Sequence, residues 1–331
     1  MILLGIETSC DETAAAVLVN GELCANIITL QDIHLDYGGV VPEYASRAHQ
    51  RLVLPAITSA LKQADVTISE LDGIAVTYGP GLIGSLLVGL NVAKGMAFGL
   101  DIPWIGVNHM EGHLFANFVR EPSPEFPFIC LIISGGHTQL VLVKDLGSYT
   151  ILGSTIDDAA GETFDKVARM LGLNYPGGPA IQNAAEDGDP NFISFPRAMM
   201  ERDNLNFSFS GLKTAVLYYL QQQNASAIQK NLRHITASFE QAVVDVLVKK
   251  TMRVAAQYNI TTFALAGGVA ANKRLRKALS EEVNQKDYTI YFPELDLCTD
   301  NAAMIARAGL FYLQQGKHSS FDLAPQPSLS M

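Results

Sequence analysis

The chain carries one structural pattern twice, and that repeat restricts it to a small set of folds. Residues 2–29 (ILLGIETSCDETAAAVLVNGELCANIIT) read as strand, polar turn, strand, Asn-Gly turn, strand. Residues 126–155 (FPFICLIISGGHTQLVLVKDLGSYTILGST) repeat that rhythm. Each copy is followed by a strand, a Gly-rich loop and a helix, at 73–95 in the first and 263–279 in the second. Short apolar runs alternating with helical periodicity give a sheet of mixed or parallel pairing covered by helices. A duplicated unit of this kind predicts two lobes whose polar turns converge on a cleft, an arrangement suited to phosphates or nucleotides.

Further elements follow from periodicity and breakers. Residues 47–64 predict a helix with Leu52, Leu54, Ile57 and Leu61 near one face, and 103–107 a short strand running into Asn108 and His109. In the second copy, residues 157–231 are too long and too apolar for a bare loop and predict an inserted helical subdomain. A helix at about 235–258, a strand near 289–292 and a last helix from Asp300 complete the copy, and the Pro/Ser-rich tail after Phe321 reads as loose.

Composition excludes several classes. In 331 residues, 48% hydrophobic and 17% charged side chains describe a globular chain with a real core, not a disordered one. Cys10, Cys24, Cys130 and Cys298 are scattered without a CxxC pair, which fits thiols of a reducing compartment. No basic and apolar leader opens the chain, so a cytoplasmic location is expected. Residues 82–100 are apolar enough for a membrane span, but Gly84, Ser85, Gly89, Ala93, Gly95 and Gly99 point to a closely packed helix of the fold. A net charge of −10 argues against a broad, self-sufficient nucleic-acid surface. Local basic groups at Lys273, Arg274, Arg276 and Lys277, and at Arg197, Arg202 and Lys213, are the exceptions.

The chemistry concentrates in a few places. His109 and His113 in HMEGH are four residues apart on a predicted helix, so both imidazoles reach one metal ion. A zinc protease needs Glu directly after the first His, and Met110 stands there. Asp300 in CTDNAAMIA reads as the cap of the last helix, and facing lobes would turn it toward the histidines. Two imidazoles and a carboxylate suit Fe(II), with Zn(II) the alternative. SGGHT at Ser134–Thr138, AGGVAAN at Ala266–Asn272 and YPGGP at Tyr175–Pro179 allow backbone N–H groups to approach an anion closely. No Walker A pattern is present. Asp11 and Glu12 occupy the first polar turn, either as a solvated bend or as groups that orient a nucleophile. Glu162 and Asp165 in GETFDK pose the same choice, and His137 is as well placed to brace its turn as to meet a ligand.

Together, IETSCDETAAAV, HMEGH, ISGGHTQL, GETFDKVARMLGL, YPGGP, FSFSGLKTA, AGGVAANKRLR and CTDNAAMIA resemble the TsaD family of tRNA N6-adenosine threonylcarbamoyltransferases, from Ile6 to about Arg307. The resemblance implies an α/β fold of two duplicated actin-like (ribonuclease-H-like) lobes with a central cleft and a helical insertion in the second. It sets the first lobe at 1–107, the second at 108–299 with its insertion at about 157–231, and a tail at 321–331. The helix 300–320 is then a candidate to pack back on the first lobe. The implied reaction moves threonylcarbamoyl from threonylcarbamoyl-adenylate to N6 of the adenosine following the anticodon, in tRNAs reading codons that begin with A. AMP is released.

By the same resemblance His109, His113 and Asp300 hold one Fe(2+) per subunit, or Zn(2+). Ile132, Ile133, Ser134, Gly135, Gly136, Asp165, Gly178 and Asn272 meet the adenylate, and Asp11 and Glu12 match the acidic first turn, with a role in catalysis or phosphate orientation. The implied partners are tRNA, the inactive paralogue TsaB and the small ATPase TsaE, with the helices at 47–61 and from 82 as candidate paralogue surfaces. One departure is Gln182, where many relatives carry an acidic residue. The rival reading on the same fold is an ATP-dependent small-molecule kinase or carbamoyl phosphotransferase, against which the His pair counts.

Overall fold

The computed structural model describes residues 1–201 and 203–331, without the side chains of Leu35 and Asp36; Arg202 of the expected basic loop lies outside the described residues. The chain divides into two compact units, residues 1–123 with 293–331, and residues 124–292.

In the first unit, β1 (Ile2–Glu7), β2 (Thr13–Val19) and β3 (Glu22–Thr29) pair antiparallel, while β4 (Gly73–Gly79) and β5 (Trp104–Asn108) add in parallel, giving the order β3-β2-β1-β4-β5. The β2–β3 turn is the Asn20-Gly21 pair of the sequence, both at positive φ (53° and 89°), which matches the twist of a two-residue hairpin. Between β3 and β4 runs α1 (Pro42–Gln63), and between β4 and β5 runs α2 (Ile83–Leu100). These helices bury Val53, Ile57, Leu61, Leu90, Ala93 and Ala97 against Leu4, Ile6, Val17, Ile74 and Val76 of the sheet. The apolar α2 packs on the unit through Ser85, Gly89 and Ala93, and a Cβ on Gly89 would sit 2.3 Å from Thr8 Oγ1, whereas Gly95 and Gly99, expected in the same contact, are exposed with open space around them. Straight after β5 comes α3 (His109–Phe115).

A helix at Ala302–Gln314, α9 in chain order, packs against β1 and β4 of this unit. Gly5 permits that approach, since a Cβ there would lie 2.4 Å from Ala302 O. The division differs from the boundaries expected at 107/108 and 299/300. Residues 108–123 belong with the first unit because α3 packs on α9: Phe115 and Phe311 stack with centroids 5.5 Å apart, and Arg120 pairs with Glu294.

The tail expected to be loose is instead strapped along β5. Ser319 N donates to Trp104 O (2.8 Å), Lys94 Nζ to both Phe321 O and Leu323 O (2.7 Å each), and Gln326 N to Tyr78 O (2.7 Å). Its prolines and serines suppress any helical or strand pattern, so the anchoring is invisible to periodicity.

The second unit repeats the sheet. β6 (Phe128–Ile133), β7 (Thr138–Asp145) and β8 (Ser148–Ser154) form the antiparallel meander; α4 (Ala160–Met170), α5 (Gly177–Ala184), α6 (Ser210–Gln221) and α7 (Ala225–Tyr258) follow; then come β9 (Thr262–Ala266), α8 (Lys273–Asn284) and β10 (Thr289–Tyr291). Its order β8-β7-β6-β9-β10 reproduces that of the first sheet strand for strand, with parallel pairing again confined to the last two additions. The duplicated actin-like pattern is thus real at the level of topology. Helix α7 starts ten residues before its expected position because Asn224 caps it, Oδ1 accepting from Ala227 N at 2.8 Å.

Candidate active site

In the first unit β5 delivers the chain to α3, and Asn108 caps the turn, its Oδ1 accepting from Met110 N and Glu111 N. The cap fixes the start of a helix on which His109 and His113 lie one turn apart, their ring centroids separated by 4.7 Å. Asp300 meets them from the start of α9, in the same unit rather than from the opposite lobe. It is not the cap of that helix: Asn301 takes the task, accepting from Met304 N at 3.0 Å, so the Asp300 carboxylate is free to turn to the histidines. Asp300 Oδ1 lies 3.4 Å from His109 Nε2 and 3.1 Å from His113 Nε2. One ligand-type atom from each of the three residues falls within 4.8 Å of the others.

The surroundings fit a cation. His113 is fully buried, yet neither ring nitrogen has a partner in hydrogen-bond geometry among the described residues, although Nε2 is close to Asp300. A buried imidazole left so is costly unless another group completes it. His109 Nδ1 is held by Glu7 Oε2 and Ser9 Oγ, both at 3.1 Å. This holds a proton on Nδ1 and turns Nε2 toward Asp300, so that Nε2 is the nitrogen a cation would take, the carboxylate–histidine arrangement that orients metal ligands.

Electrostatics reflect the crowding of charge. Burial pulls the Asp300 carboxyl upward, but His109 and then His113 outweigh it and hold it well below the usual carboxylate range. Burial likewise opposes charge on His109, yet Asp300 and then Glu7 push its pKa well above the ordinary value of 6.5. Burial, then the negative charges of Asp300 and Asp11, push the Glu12 carboxyl well above its ordinary range. A divalent cation relieves this repulsion and displaces the proton that His109 otherwise keeps.

The residues expected at the adenylate fall in the second unit, joined by a chain of contacts. Ile132 and Ile133 are buried in β6, so only their backbone is available to a ligand. Ser134–Gly136 turn out of β6, with Ser134 N donating to His137 O at 2.8 Å. The start of α4 rests on that turn through Glu162 N to Gly135 O (3.1 Å). Asp165 on α4 accepts from Gly177 N at 2.7 Å and so pins the YPGGP turn. Gln182 on α5 accepts from Lys273 N at 2.7 Å, next to Asn272. Gly267, at φ +88°, closes the series: a Cβ there would lie 2.4 Å from Ile133 O.

Gly135, Gly136 and Gly178 differ from these packed glycines, since a Cβ on any of them would meet nothing within 4 Å. They border open space, with backbone N–H groups at hand. Asn272 is largely committed, its Oδ1 capping α8 through Leu275 N and its Nδ2 donating to buried Glu240 at 2.8 Å.

The family model of TsaD, tRNA N6-adenosine threonylcarbamoyltransferase, matches residues 22–307. The chain belongs to the TsaD family. It is 51% identical to the tRNA N6-adenosine threonylcarbamoyltransferase of Clostridium perfringens (strain SM101) over 100% of this chain and 98% of that one. Against the protein of the same name from Thermosipho africanus it is 49% identical, over all of both chains. Among solved structures, HypF from T. kodakarensis aligns with a TM-score of 0.63 at 16% identity, over 95% of this chain and 48% of that one. The activator of 2-hydroxyisocaproyl-CoA dehydratase from Clostridium difficile aligns at 0.56 and 16%, over 97% and 100%. These two likenesses concern the fold alone.

Within a TsaD protein, the unexpected members of the first-unit cluster are Glu7 and Ser9. The sequence signal was a carboxylate closing an apolar strand, ILLGIE, where a surface strand would already have alternated with polar residues. Only the β1–β4–β5 pairing brings Glu7 beneath His109.

Proposed function

We propose that the chain transfers the threonylcarbamoyl group from threonylcarbamoyl-adenylate to N6 of the adenosine following the anticodon of tRNA, releasing AMP. The observation that carries this reading is the buried His109–His113–Asp300 cluster backed by Glu7, in a chain of TsaD ancestry. Two imidazoles and one carboxylate with remaining positions open suit Fe(II), with Zn(II) as the alternative, at one ion per chain. When bound, the ion supplies Lewis acidity and a counter-charge for ligand oxygens.

The chain's own groups do the rest. The mixed anhydride is already activated, so the N6 lone pair forms the new C–N bond as the C–O bond to phosphate breaks, AMP departs with that electron pair, and the proton released from N6 passes to the departing phosphate or to water. Backbone N–H groups at Gly135, Gly136 and Gly178 serve the adenylate oxygens, because their open side accepts an anion without steric cost. Asp11 and Glu12 orient the weakly nucleophilic amine or the phosphate. Gln182 braces α8 through Lys273 N, so its carboxamide helps hold the pocket wall.

The partner reading takes TsaB onto the groove between α1 and α2, a concavity of about 610 Å³ lined by Glu43, Arg47, Leu54, Gly84 and Leu87. TsaE joins that assembly, and the whole acts in the cytoplasm. The test is mass spectrometry of tRNA nucleosides after incubation with threonine, bicarbonate, ATP, the enzyme that forms the adenylate and both partners. Threonylcarbamoyladenosine should appear only with this chain present; its appearance without the chain, or its absence with it, would refute the proposal.

A further inference from the structure

A buried line of polar groups crosses the first unit and ends on the backbone of the acidic turn. It begins at Val41, the residue before α1, whose N–H donates to His34 Nδ1 at 3.3 Å. With Nδ1 accepting, the His34 proton sits on Nε2, which donates to Gln31 Oε1 at 3.0 Å. The Gln31 amide reaches Thr13 Oγ1 at 3.5 Å and also lies 3.3 Å from either ring nitrogen of His49. The Thr13 hydroxyl donates to His49 Nδ1 at 2.8 Å, and His49 Nε2 donates to Cys10 O at 3.0 Å.

With Cys10 O accepting from Nε2 and Thr13 donating to Nδ1, the line closes with both imidazoles neutral and their protons on Nε2. His49 is fully buried, and burial lowers its pKa, in keeping with that state. The preceding residues are gripped from the other side by α2: Leu82 N donates to Ser9 O at 2.8 Å and Thr8 Oγ1 to Ser85 O at 2.9 Å. At Cys10 itself the α2 contact is weaker, with Ser85 Oγ 3.4 Å from the carbonyl. His49 therefore makes the shorter bond to the peptide that leads directly into Asp11 and Glu12.

We propose that His49 is a positioning residue for the transfer reaction: through the Cys10 carbonyl it sets the orientation of the Asp11–Glu12 turn without touching substrate. Packing alone would be served as well by apolar side chains, without the four buried polar ones, Thr13, Gln31, His34 and His49, to satisfy; the line trades stability for one defined geometry. The inference rests on the role given to Asp11 and Glu12 under the proposed function.

Two substitutions divide the ring's contacts. His49→Gln keeps a donor at the Nε2 position, facing Cys10 O. His49→Asn keeps an acceptor near Nδ1, facing Thr13, and withdraws from Cys10. In a reconstituted transfer assay with both partners, His49→Gln should hold kcat within about threefold of the parent, whereas His49→Asn should lose about tenfold or more, with KM for tRNA changed by less than about twofold. Melting temperatures of the two variants should fall alike, so that activity and stability separate. Equal kcat in both variants, or losses that track melting temperature, would overturn the inference. Should His49→Asn not fold, Thr13→Val, which frees the His49 ring, must lose kcat in the same way, and parental kcat there overturns it. Glu12→Gln in the same assay separates the two readings. Parental turnover in that variant removes the role of the turn, whereas an inactive Glu12→Gln beside a fully active His49→Asn defeats this inference alone.

Discussion

Glu7 and His109 make a close ionic pair of the cluster, a carboxylate at 3.1 Å holding a proton on Nδ1 of the imidazole. Burial alone would raise the Glu7 carboxyl, but the His109 charge overrides it and keeps the group ionised. Replacing Glu7 by Gln removes that charge while keeping the shape. Metal affinity should fall roughly 10–100-fold, the usual cost of losing such a partner, as read by competitive titration with a chelator. An unchanged affinity would mean that Glu7 is only a strand terminus.

The same residues predict a pH dependence for the metal-free protein. The folded-state pKa of His109 lies well above 6.5, so its stabilising contribution is complete below 6.5 and is lost as pH rises through the raised value. The depressed Asp300 acts oppositely, its contribution being lost only as pH falls through its lowered value. Melting temperature in chelator should therefore decline from neutral toward alkaline pH, and the decline should shrink in His109→Ala. At this scale the candidate cluster was legible in one dimension, through the His spacing and Asp300. Glu7 and His49 were not, because each acquires its meaning from a partner about a hundred or forty residues away in the chain.

At the scale of elements, the position of Asp300 depends on how closely α9 approaches β1. Gly5 sets that distance: a Cβ would fall 2.4 Å from Ala302 O and 2.8 Å from Ala306 Cβ. Gly5→Ala should lower stability by about 1–3 kcal/mol in denaturant unfolding, and should weaken metal binding as well, because Ala302 is two residues from Asp300. A loss of stability with metal affinity intact would show that the start of α9 adjusts independently. The existence of α1 followed from its periodicity, and the β2–β3 hairpin from its Asn-Gly pair. Helix ends did not always: the first ten residues of α7 are all exposed or half-buried, with only Ile228 and Leu232 as a thin apolar stripe beside the Asn224 cap. The strap after residue 316 escaped notice for a different reason. Most of its bonds end on backbone atoms, and side-chain contacts such as Ser319 Oγ on Gly106 N and Phe321 on Trp104 are too few and too widely spaced to leave a periodic pattern.

At the scale of the molecule, two sheets of identical order have diverged in content. The first carries the imidazoles, the carboxylates and the acidic turn; the second carries glycine turns that border open space and the inserted helices α4 to α6. Duplication was legible because the hairpin rhythm of residues 2–29 returns at 126–155, while the boundary between units was not. Residues 109–123 follow the repeat in sequence but are claimed by α9 through aromatic packing around Phe115. His109, His113 and Asp300 consequently belong to a single unit.

The most direct test is the metal content of the full chain purified anaerobically, beside its His113→Ala variant. The account predicts about one equivalent of iron or zinc per chain in the parent, with nitrogen and oxygen ligands by X-ray absorption, and its loss in the variant. A metal-free parent, or a variant that retains the parent's full complement, would contradict it.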